Sequence, residues 1–296
     1  MDWNDLRYLL AISEKGSLAR ASEELGVTKA TTSRRLAALE EALGVALVER
    51  RPEGMILTPA GLEVLRTAKS VDVAVKGLAT TLTSQGTDPA RGVVRLTAPP
   101  WLSDRLITPM LPRLRETHPG LEVQILGTSK LVNLEEGDAD IGLRNVRPNK
   151  GQLVSRRVGE LAGCIYGSEL YLNRRGMPNQ KEDLMTHDLL AYQGLGGMPG
   201  FEWISSEPYS TRIVFRADDP TGLTAAAAAG MGLTAIPCIL GETDPQLRRV
   251  ESLGVGFSPL YVVTTEALRN LERIRVVLRL VEDSVRDNQA ILLGRG

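Results

Sequence analysis

Residues 27–44 read VTKATTSRRLAALEEALG, a stretch that predicts one helix with two unlike faces. Helical spacing aligns four residues in a stripe that we expect to be buried: Thr32, Leu36, Leu39 and Leu43. The opposite side carries small, hydroxylated and basic side chains, namely Lys29, Ala30, Ser33, Arg34 and Ala37. Small side chains let a helix sit deep in the major groove of DNA, while hydroxyls and cations reach phosphates and bases. A solvent-exposed helix start capped by Thr28 is the alternative interpretation.

The residues before this stretch predict two short helices joined by a tight turn. The first helix ends at Gly16, and its apolar residues are Leu6, Leu9, Leu10 and Ile12. Ser17 is placed to cap the second helix, whose apolar face is Leu18, Ala21 and Leu25. Gly26 then breaks the pattern before the third helix. Short helices joined by a glycine-containing turn are typical of a helix-turn-helix.

The residues after the helix predict a small two-stranded wing. Residues 47–61 read LVERRPEGMILTPAG, which fits a short strand, a tip at residues 51–54 and a return strand from Met55 to Leu57. Arg50 and Arg51 lie at this tip. A basic wing beside a recognition helix can contact the neighbouring DNA backbone or minor groove.

Residues 16–61 closely resemble the N-terminal domain of LysR-type transcriptional regulators, and the match runs without a gap from about Trp3 to Gly61. The motifs that carry it are Gly16-Ser17, Ser33-Arg34, Leu39-Glu40, Leu43-Gly44, Glu49-Arg50 and Leu57-Thr58-Pro59-Ala60-Gly61. The resemblance implies a winged helix-turn-helix at residues 1–58, with the third helix in the major groove. It also implies contacts from these residues: Ser17, Thr28, Lys29, Ala30, Thr31, Ser33, Arg34, Arg50 and Arg51.

Two of these positions depart from the family pattern. The family often has Gln where Lys29 stands, and Pro or Ser where Ala30 stands. When the family's roles are transferred to the matching positions, the resemblance implies that Lys29, Ala30 and Ser33 read bases. It implies phosphate or base contacts from Thr28, Thr31 and Arg34, and wing contacts from Arg51. Since glutamine suits adenine and lysine suits guanine, we expect an altered base preference at Lys29.

Residues 59–90 predict a linker formed by a long helix and a joint. Thr58 is an N-cap followed by Pro59 at the first helical position. Apolar residues alternate in steps of four and three up to about Ser84: Val64, Ala68, Val71, Val75, Leu78 and Leu82. Gly77 weakens this seam, and a helix packed on its own domain is the alternative. The resemblance implies the dimer helix of the family, and SQGTDPARG at residues 84–92 predicts a flexible joint.

Residues 91–296 change to strands that alternate with helices, which favours a parallel, doubly wound α/β sheet. We expect a helix in LITPMLPRLRETHPG, a short helix in LVNLEEGD and a terminal helix from Glu266 to Val285. The expected strands are VVRLTA, LEVQILG, ADIGLR, LAGCIYG, RIVFRA, LTAIP and PLYVVTT.

The resemblance continues more weakly into this region, through PMLPRLRETHPGLEVQI, LEEGDADIGLR and AAAAAGMGLTAIP. It implies the effector-binding part of LysR-type proteins, which is similar to periplasmic solute-binding proteins: two α/β lobes joined by two crossover strands. We place the crossovers near residues 161–164 and 261–264. Lobe I would then be residues 92–161 with 263–290, and lobe II residues 162–262.

A ligand in such a fold should lie between the lobes, at the carboxyl ends of strands and at helix N-termini. The candidates that follow strands or precede helices are Thr97, Pro99, Pro100, Trp101, Thr128, Ser129, Arg144, Gln193, Asp219 and Thr221. Each has a structural alternative: Pro99 and Pro100 can simply shape a turn, and Arg144 can pair with a nearby carboxylate. Arg144 beside helix N-termini would suit an anionic effector such as a small carboxylate.

Bulk properties bound the function. The chain has 296 residues and a formal net charge of −1, so a nucleic-acid partner requires a local basic surface. The segment MDWNDLRYLL carries acids where a signal peptide needs bases, and no apolar run is long enough for a membrane span, so we expect a cytoplasmic protein with no membrane partner.

The sequence offers little support for an enzyme. We expect His118 to cap a helix end and His187 to lie in a solvated loop, and neither has metal-ligand spacing. The G-x-S-x-G elbow, the Walker loop and the strand-linked G-x-G-x-x-G motif are absent, so no metal, cofactor or catalytic residue is expected. Cys164 and Cys238 fall in expected buried strands, which favours packing over redox sensing.

We therefore predict a transcriptional regulator that binds double-stranded promoter or operator DNA and responds to a small-molecule effector between its C-terminal lobes. The resemblance implies a homodimer or homotetramer, with RNA polymerase as a further partner if the protein activates transcription. The alternative is a solute-binding or enzymatic protein built on the two lobes, with DNA binding secondary.

Overall fold

The computed structural model describes residues 2–51, 54–83, 90–148, 153–194 and 198–295. They fall into two compact units. The first comprises Met1–Pro89 and Asn133–Asp138, and the second comprises Ala90–Val132 and Ala139–Gly296. Each unit has its own core and is considered separately.

The first unit begins with three helices, α1 (Asp5–Lys15), α2 (Leu18–Leu25) and α3 (Lys29–Leu43). Each helix ends at a glycine with positive φ, in the left-handed conformation that lacks a penalty only for glycine: Gly16, Gly26 and Gly44. Ser17 and Thr28 cap α2 and α3, so the stop and start signals expected from the sequence are confirmed.

One face of each of the three helices packs into the core of this unit. Leu9, Ile12, Ala21 and Leu39 are among its buried residues, together with Leu36 and Leu47. The expected stripe of α3 is confirmed for Thr32, Leu36 and Leu39, but it is wrong for Leu43, which is 38% exposed. Leu43 lies in the last helical turn, and Leu47, beyond the Gly44 turn, enters the core instead.

The wing consists of β1 (Val48–Arg51) and β2 (Gly54–Leu57), which pair antiparallel as expected; Pro52 and Glu53 of the expected tip lie outside the described residues. Glu40 of α3 holds the wing, because its Oε1 accepts hydrogen bonds from the backbone N–H groups of Leu47 at 2.7 Å and Val48 at 3.2 Å.

The linker helix α4 spans Pro59–Thr83, and Thr58 Oγ1 accepts a hydrogen bond from Gly61 N at 3.0 Å, as expected of an N-cap. The first turns of α4 pack on their own domain, as the alternative to a dimer helix predicts. Ala68 is buried in the core of the first unit, and Val64 packs against that core. Val75 is 58% exposed. The side chains of Leu78 and Leu82, and residues 84–89 of the expected joint, lie outside the described part of the chain.

The described residues of the second unit form nine strands: β3 (Gly92–Ala98), β4 (Leu121–Gly127), β5 (Ile141–Arg144), β6 (Leu153–Ser168), β7 (Leu189–Tyr192), β8 (Ile213–Ala217), β9 (Leu233–Pro237), β10 (Leu247–Arg249) and β11 (Gly256–Thr265). Its helices are α5 (Pro100–Leu102), α6 (Leu111–Thr117), α7 (Glu169–Arg175), α8 (Pro220–Ala228), α9 (Cys238–Gly241), α10 (Glu272–Asp287) and α11 (Gln289–Leu292). A π-helical turn at Ser103–Ile107 and several 3-10 turns complete the described structure.

The sheet is mixed rather than wholly parallel. Its order is β4-β3-β5-β11-β6-β9-β7-β8, with β10 on β6. Within each half the strands are parallel, as β3 is to β4 and β5, and as β7 is to β8 and β9. The long strands β6 and β11 run antiparallel to their neighbours and carry the chain between the halves, so the expected pair of crossover strands is present.

The second crossover lies earlier than residues 261–264. Tyr261–Thr264 already pair with β5 of lobe I, whereas Gly256 and Ser258 lie opposite Gly163 and Leu161 of the first crossover. The sequence does not reveal this offset, because all ten residues of β11 form one continuous strand.

Several local expectations are wrong. LVNLEEGD forms turns rather than a helix, and the terminal helix begins at Glu272 rather than Glu266. The segment after β3 is a chain of short helical turns interrupted at Pro109 and Pro112, because proline lacks the N–H that a regular helix needs. Cys238 starts α9 just after its strand, and His187 is buried instead of solvated.

Candidate DNA-binding face and effector cleft

The start of α3 is built to expose its first turn. Thr28 is extended, and its Oγ1 accepts a hydrogen bond from Thr31 N at 3.1 Å and lies 2.9 Å from Thr31 Oγ1. Both hydroxyls keep capacity to bond outward, and Lys29 and Ala30 beside them are exposed. The first turn therefore presents hydroxyls, one ammonium group and a small side chain to solvent.

Burial divides the next three residues as the helical phase predicts. Thr32 is fully buried and points its Oγ1 at Thr28 O, 3.4 Å away. Ser33 is half-buried and Arg34 is exposed. No acidic side chain among the described residues pairs with Arg34 or Lys29, so both cations remain available.

Arg35, unlike Arg34, has two acidic partners among the described residues. Its Nη1 lies 3.1 Å from Asp2 Oδ2 and 3.1 Å from Asp5 Oδ1, and the Asp5 side chain is only 4% exposed. The hydrogen bond and charge of Asp5 raise the pKa of Arg35. Arg35 therefore ties α3 to α1, and the two adjacent arginines have separate roles.

The remaining residues predicted to contact DNA lie at the start of α2 and in the wing. Ser17 is half-buried, and its Oγ accepts a hydrogen bond from Arg20 N at 3.3 Å, which leaves its O–H free to donate. Arg51 is exposed and pairs with Glu49 at 3.1 Å, a surface contact that a phosphate can replace. The backbone of Arg50 belongs to β1, and its side chain lies outside the described part of the structure.

In the second unit, a cleft of about 100 Å³ opens at the junction of the two halves of the sheet. It lies at the ends of strands from both halves and against the two crossovers. Its described lining is Pro99, Trp101, Leu102, Ser129, Asn145, Leu161, Ala162, Gly163, Tyr192, Met198, Pro199, Pro220, Pro237, Gly256 and Ser258.

Most of the lining side chains are apolar, but polar atoms, including those of the backbone, form about half of the lining surface. Ser129, Asn145 and Ser258 contribute hydroxyl or amide groups, and Tyr192 contributes a phenol whose pKa is raised by burial and by Asp218 and Asp219. None of the described lining residues is a lysine, arginine or histidine. An apolar cleft with a few convergent polar groups is typical of a small-molecule site.

Close backbone contact forms one wall of the cleft. A methyl group added at Gly256 would lie 2.0 Å from Pro199 O, and one added at Gly200, where φ is +81°, would lie 2.7 Å from Gly256 Cα. Glycine is therefore required where this loop meets the start of β11.

The structure brings three of the ten predicted effector residues to the cleft lining: Pro99, Trp101 and Ser129. Thr128 holds the turn before Ser129, because its Oγ1 accepts a hydrogen bond from Lys130 N at 3.1 Å. Four others are close in the chain to lining residues: Thr97 is buried in β3 shortly before Pro99, Pro100 starts α5 between Pro99 and Trp101, and Asp219 and Thr221 flank Pro220. Gln193 lines a separate cavity, beside Arg216 and Glu202.

Arg144 does not line the cleft. It is half-buried at the end of β5, its Nη2 donates a hydrogen bond to Val132 O, and burial lowers its pKa. The next residue, Asn145, takes the lining position.

The lining residues that sequence reasoning missed include Asn145, Tyr192, Met198, Pro237 and Ser258. Asn145, Tyr192 and Pro237 stand at or after the ends of β5, β7 and β9, so the carboxyl-end signal was available for them. Met198 and Ser258 carry no such signal, since one lies in a loop and the other near the start of an antiparallel strand.

No helix among the described residues is long and apolar enough to cross a bilayer. Within the same residues, no group of three or more His, Cys, Asp or Glu side chains is arranged to hold a metal ion.

Comparisons with known proteins match both units. Residues 3–62 match the model of the bacterial regulatory helix-turn-helix protein, lysR family, and residues 87–286 match the LysR substrate binding domain. An HTH-type transcriptional regulator of Xanthomonas campestris pv. campestris is 29% identical over 269 residues, which is 87% of this chain and 76% of that protein.

Solved structures share the fold at low identity. ArgP from Mycobacterium tuberculosis is 20% identical with a TM-score of 0.72, over 96% of this chain and 97% of its own. Full-length LysG from Corynebacterium glutamicum, solved with bound effector Arg, is 17% identical with a TM-score of 0.71, over 97% of this chain and 99% of its own.

Proposed function

The chain belongs to the LysR family of bacterial helix-turn-helix regulators, whose members bind DNA and a small-molecule effector and form oligomers, and from this premise we propose which residues perform each task. The observation that carries the proposal is the exposed N-terminal half of α3, where Lys29 and Arg34 have no acidic partner among the described residues while Arg35 has two. Free cations and hydroxyls on one helix face match the phosphates and base edges of a major groove.

At the DNA, Lys29, Ala30 and Ser33 read bases. Thr28, Thr31 and Arg34 bind phosphates or base edges, and Ser17, at the start of α2, binds a phosphate through its free O–H. Arg50 and Arg51 of the wing contact the adjacent backbone. The exposed positions of Lys29, Ala30 and Arg34 support this assignment, as does the burial of Thr32 between them.

Two copies of the protein associate through α4, as a homodimer or as a homotetramer built from such dimers. The exposure of Val75 on the seam of α4 supports this, since 58% of a large apolar side chain faces solvent in the single chain. The winged helix-turn-helix of each chain, residues 1–58, is its DNA-binding head, and the two heads of a dimer bind two half-sites of an operator. RNA polymerase becomes a further partner where the protein activates transcription, and the protein acts on DNA in the cytoplasm.

The effector binds in the cleft between the two halves of the sheet. Its apolar body packs on Trp101, Met198 and the cleft prolines, and one polar end meets Ser129, Asn145 or Ser258. A carboxylate end finds the hydroxyl donors of Ser129 and Ser258 and lies near the N-terminal end of α8, whose first residue, Pro220, lines the cleft. The protein regulates transcription and is not an enzyme, in keeping with relatives that are transcriptional regulators.

DNA binding is tested by fluorescence anisotropy on the DNA upstream of the protein's own gene, with a scrambled fragment as competitor. We expect specific binding that Arg34→Ala weakens. Equal affinity for both fragments would contradict the proposed base reading.

Effector binding is tested by melting shifts with a matched pair of probes, phenylacetate and phenylacetamide. We expect the carboxylate to raise the melting temperature more than the amide. Ser129→Leu should remove the shift, because Ser129 lines the cleft at an exposed loop, while the same change at exposed Ser206, away from the lining, should keep it. A larger shift with the amide would contradict the anionic effector, and an unchanged shift in Ser129→Leu would contradict the cleft.

A further inference from the structure

The thiols of Cys164 and Cys238 lie next to each other, beside residues that line the cleft. Cys164 lies in β6 and Cys238 begins α9, and their Sγ atoms are 3.3 Å apart although 74 residues separate them in the chain. Both residues are fully buried, and neither forms a disulfide. A disulfide bond is about 2.05 Å long, so the sulfur atoms need to approach by only roughly 1.3 Å to form one.

The sheet register explains why the thiols meet. In the antiparallel pair of β6 and β9, Cys164 lies opposite Ile236. Cys238 follows Ile236 by two residues and is therefore a diagonal neighbour of Cys164. Cys164 lies within β6 and Cys238 directly follows β9, and these two adjacent strands in the middle of the sheet keep the pair together in the folded chain.

We propose that Cys164 and Cys238 form a redox site at which a hydroperoxide converts the thiol pair into an intramolecular disulfide. This modification site goes beyond the effector response proposed above, and its chemistry does not depend on that response.

The reaction proceeds in two balanced steps. The Cys238 thiolate attacks one peroxide oxygen: an S–O bond forms, the O–O bond breaks, and the other oxygen leaves as water or an alcohol after taking up a proton. Cys164 sulfur then attacks Cys238 sulfur: the S–S bond forms, the S–O bond breaks, and hydroxide leaves with the Cys164 proton as water. Two electrons pass from the thiols to the peroxide, which is reduced.

The surroundings favour Cys238 as the attacking thiol. A hydrogen bond with the Cys164 thiol lowers the pKa of Cys238, and the Tyr166 hydroxyl and the Arg249 guanidinium also lower it, whereas burial and the Glu242 carboxylate oppose that shift. The hydrogen bond with Cys238 and burial raise the pKa of Cys164. A lowered pKa at one thiol beside a second thiol is the arrangement of an attacking and a resolving cysteine.

The C-terminal segment covers the pair. A methyl group added at Gly294 would lie 2.9 Å from Cys238 Sγ, and Arg249 Nη1 donates a hydrogen bond to Gly294 O at 2.8 Å. The covering helix α11 has only four residues and packs on α9 and β6. Short terminal helices open locally far more often than a sheet does, so opening of this segment would admit the peroxide.

Oxidation of the cysteine pair should change the shape of the cleft, because both cysteines adjoin residues that line it. Gly163 and Pro237 line the cleft, they are paired in the register, and each directly precedes one of the two cysteines. Disulfide formation therefore pulls β6 and the end of β9 closer together, and both segments form part of the cleft wall.

The test uses the purified full-length chain, treated with hydrogen peroxide and then unfolded for titration of free thiols. The chain has two cysteines, so we expect free thiols to fall from two to zero per chain, with the mass of a single chain reduced by two hydrogen atoms and restored by dithiothreitol. Cys164→Ser should stop at a sulfenic acid that dimedone labels at Cys238, whereas Cys238→Ser should react at least tenfold more slowly.

Two outcomes would overturn the proposal: thiols that remain at two while the protein keeps its native circular dichroism, or disulfides that join separate chains. Replacement of both cysteines by alanine supplies the unreactive control. Thiol counts and masses are independent of DNA and effector binding, so the result stands apart from the proposed regulatory function.

Discussion

Arg35 Nη1 lies 3.1 Å from Asp5 Oδ1, and this ion pair joins the recognition helix to the first helix of the head. Asp5 is nearly buried, whereas Arg35 keeps 35% of its side chain exposed. A carboxylate in such a position depends on its partner, because charge removed from water needs compensation. The pair therefore fixes the orientation of the helix that carries the DNA-binding face.

Arg35→Leu should destabilise the head. Loss of the guanidinium leaves the Asp5 carboxylate buried without its partner, and the leucine replaces only the apolar stem. We expect a lower melting temperature for Arg35→Leu, and recovery in the double variant with Asp5→Asn. Equal melting of the single variant and the wild type would show that the pair contributes no stability.

Arg34→Ala should weaken DNA binding without loss of stability, because Arg34 is exposed and has no acidic partner among the described residues. Each phosphate contact contributes about 0.9 to the slope of log affinity against log salt, so the slope should become shallower by about that amount per head. Thr32→Val is the matched control: Thr32 is fully buried on the opposite side of the helix, two residues from Arg34, and its replacement should leave DNA affinity intact. If both variants behave alike, the helical phase is wrong.

Lys29→Gln should change base preference rather than overall affinity. Lys29 is exposed in the first turn of α3, where its ammonium group can reach guanine O6 and N7, whereas glutamine pairs with adenine. Selection of binding sites from random DNA should therefore enrich guanine at one position for the wild type and adenine there for the variant. The same selected sequence for both proteins would remove Lys29 from base reading.

Sequence periodicity predicts the faces of α3 as far as Leu39, but it wrongly predicts burial of Leu43 and does not predict the partners of the side chains. The predicted burial of Thr32 and exposure of Arg34 are confirmed, because residues two apart on a helix point in different directions. The separate roles of Arg34 and Arg35 were not predicted, since the partner of Arg35 lies 30 residues away and is brought near by tertiary packing.

The lining of the cleft is also predictable only in part from the sequence. Pro99, Trp101 and Ser129 were predicted because parallel strands end at one edge of a sheet. Ser258 was missed because β11 runs antiparallel and offers its beginning, rather than its end, to the cleft. Arg144 was expected to line the cleft because it ends a strand, yet its side chain turns to the carbonyl of Val132.

Gly61→Ala should destabilise the head although alanine is the better helix former by about 1 kcal/mol. A methyl group at Gly61 would lie 2.0 Å from Leu47 O, where α4 passes over the start of the wing. Overpacking of this kind costs about 1–3 kcal/mol, which exceeds the gain in helix propensity. Gly222→Ala in α8 is the control, because its methyl group would meet Ala217 Cβ at an ordinary 3.6 Å, and urea unfolding should show no loss of stability there.

His187 should make the second unit less stable as the solution is acidified. Its side chain is buried against Tyr171, with ring centroids 5.7 Å apart, and its Nδ1 has no hydrogen-bond partner among the described residues. Burial, with Arg175 and Arg212, lowers the pKa of His187, while Asp183 and Asp188 oppose that shift. The unfolded chain therefore binds this proton more readily than the folded chain does.

The sign of the effect follows from that difference. Above the unfolded pKa of about 6.5, both states hold a neutral imidazole and the stability is fully present; below it, the unfolded state takes up the proton first and the free energy of unfolding falls. Urea midpoints between about pH 5.5 and 7.5 should decrease towards acid in the wild type. They should decrease less in His187→Phe, which keeps an aromatic ring beside Tyr171 and removes the titrating group. Parallel curves for the two proteins would show that His187 titrates alike in both states.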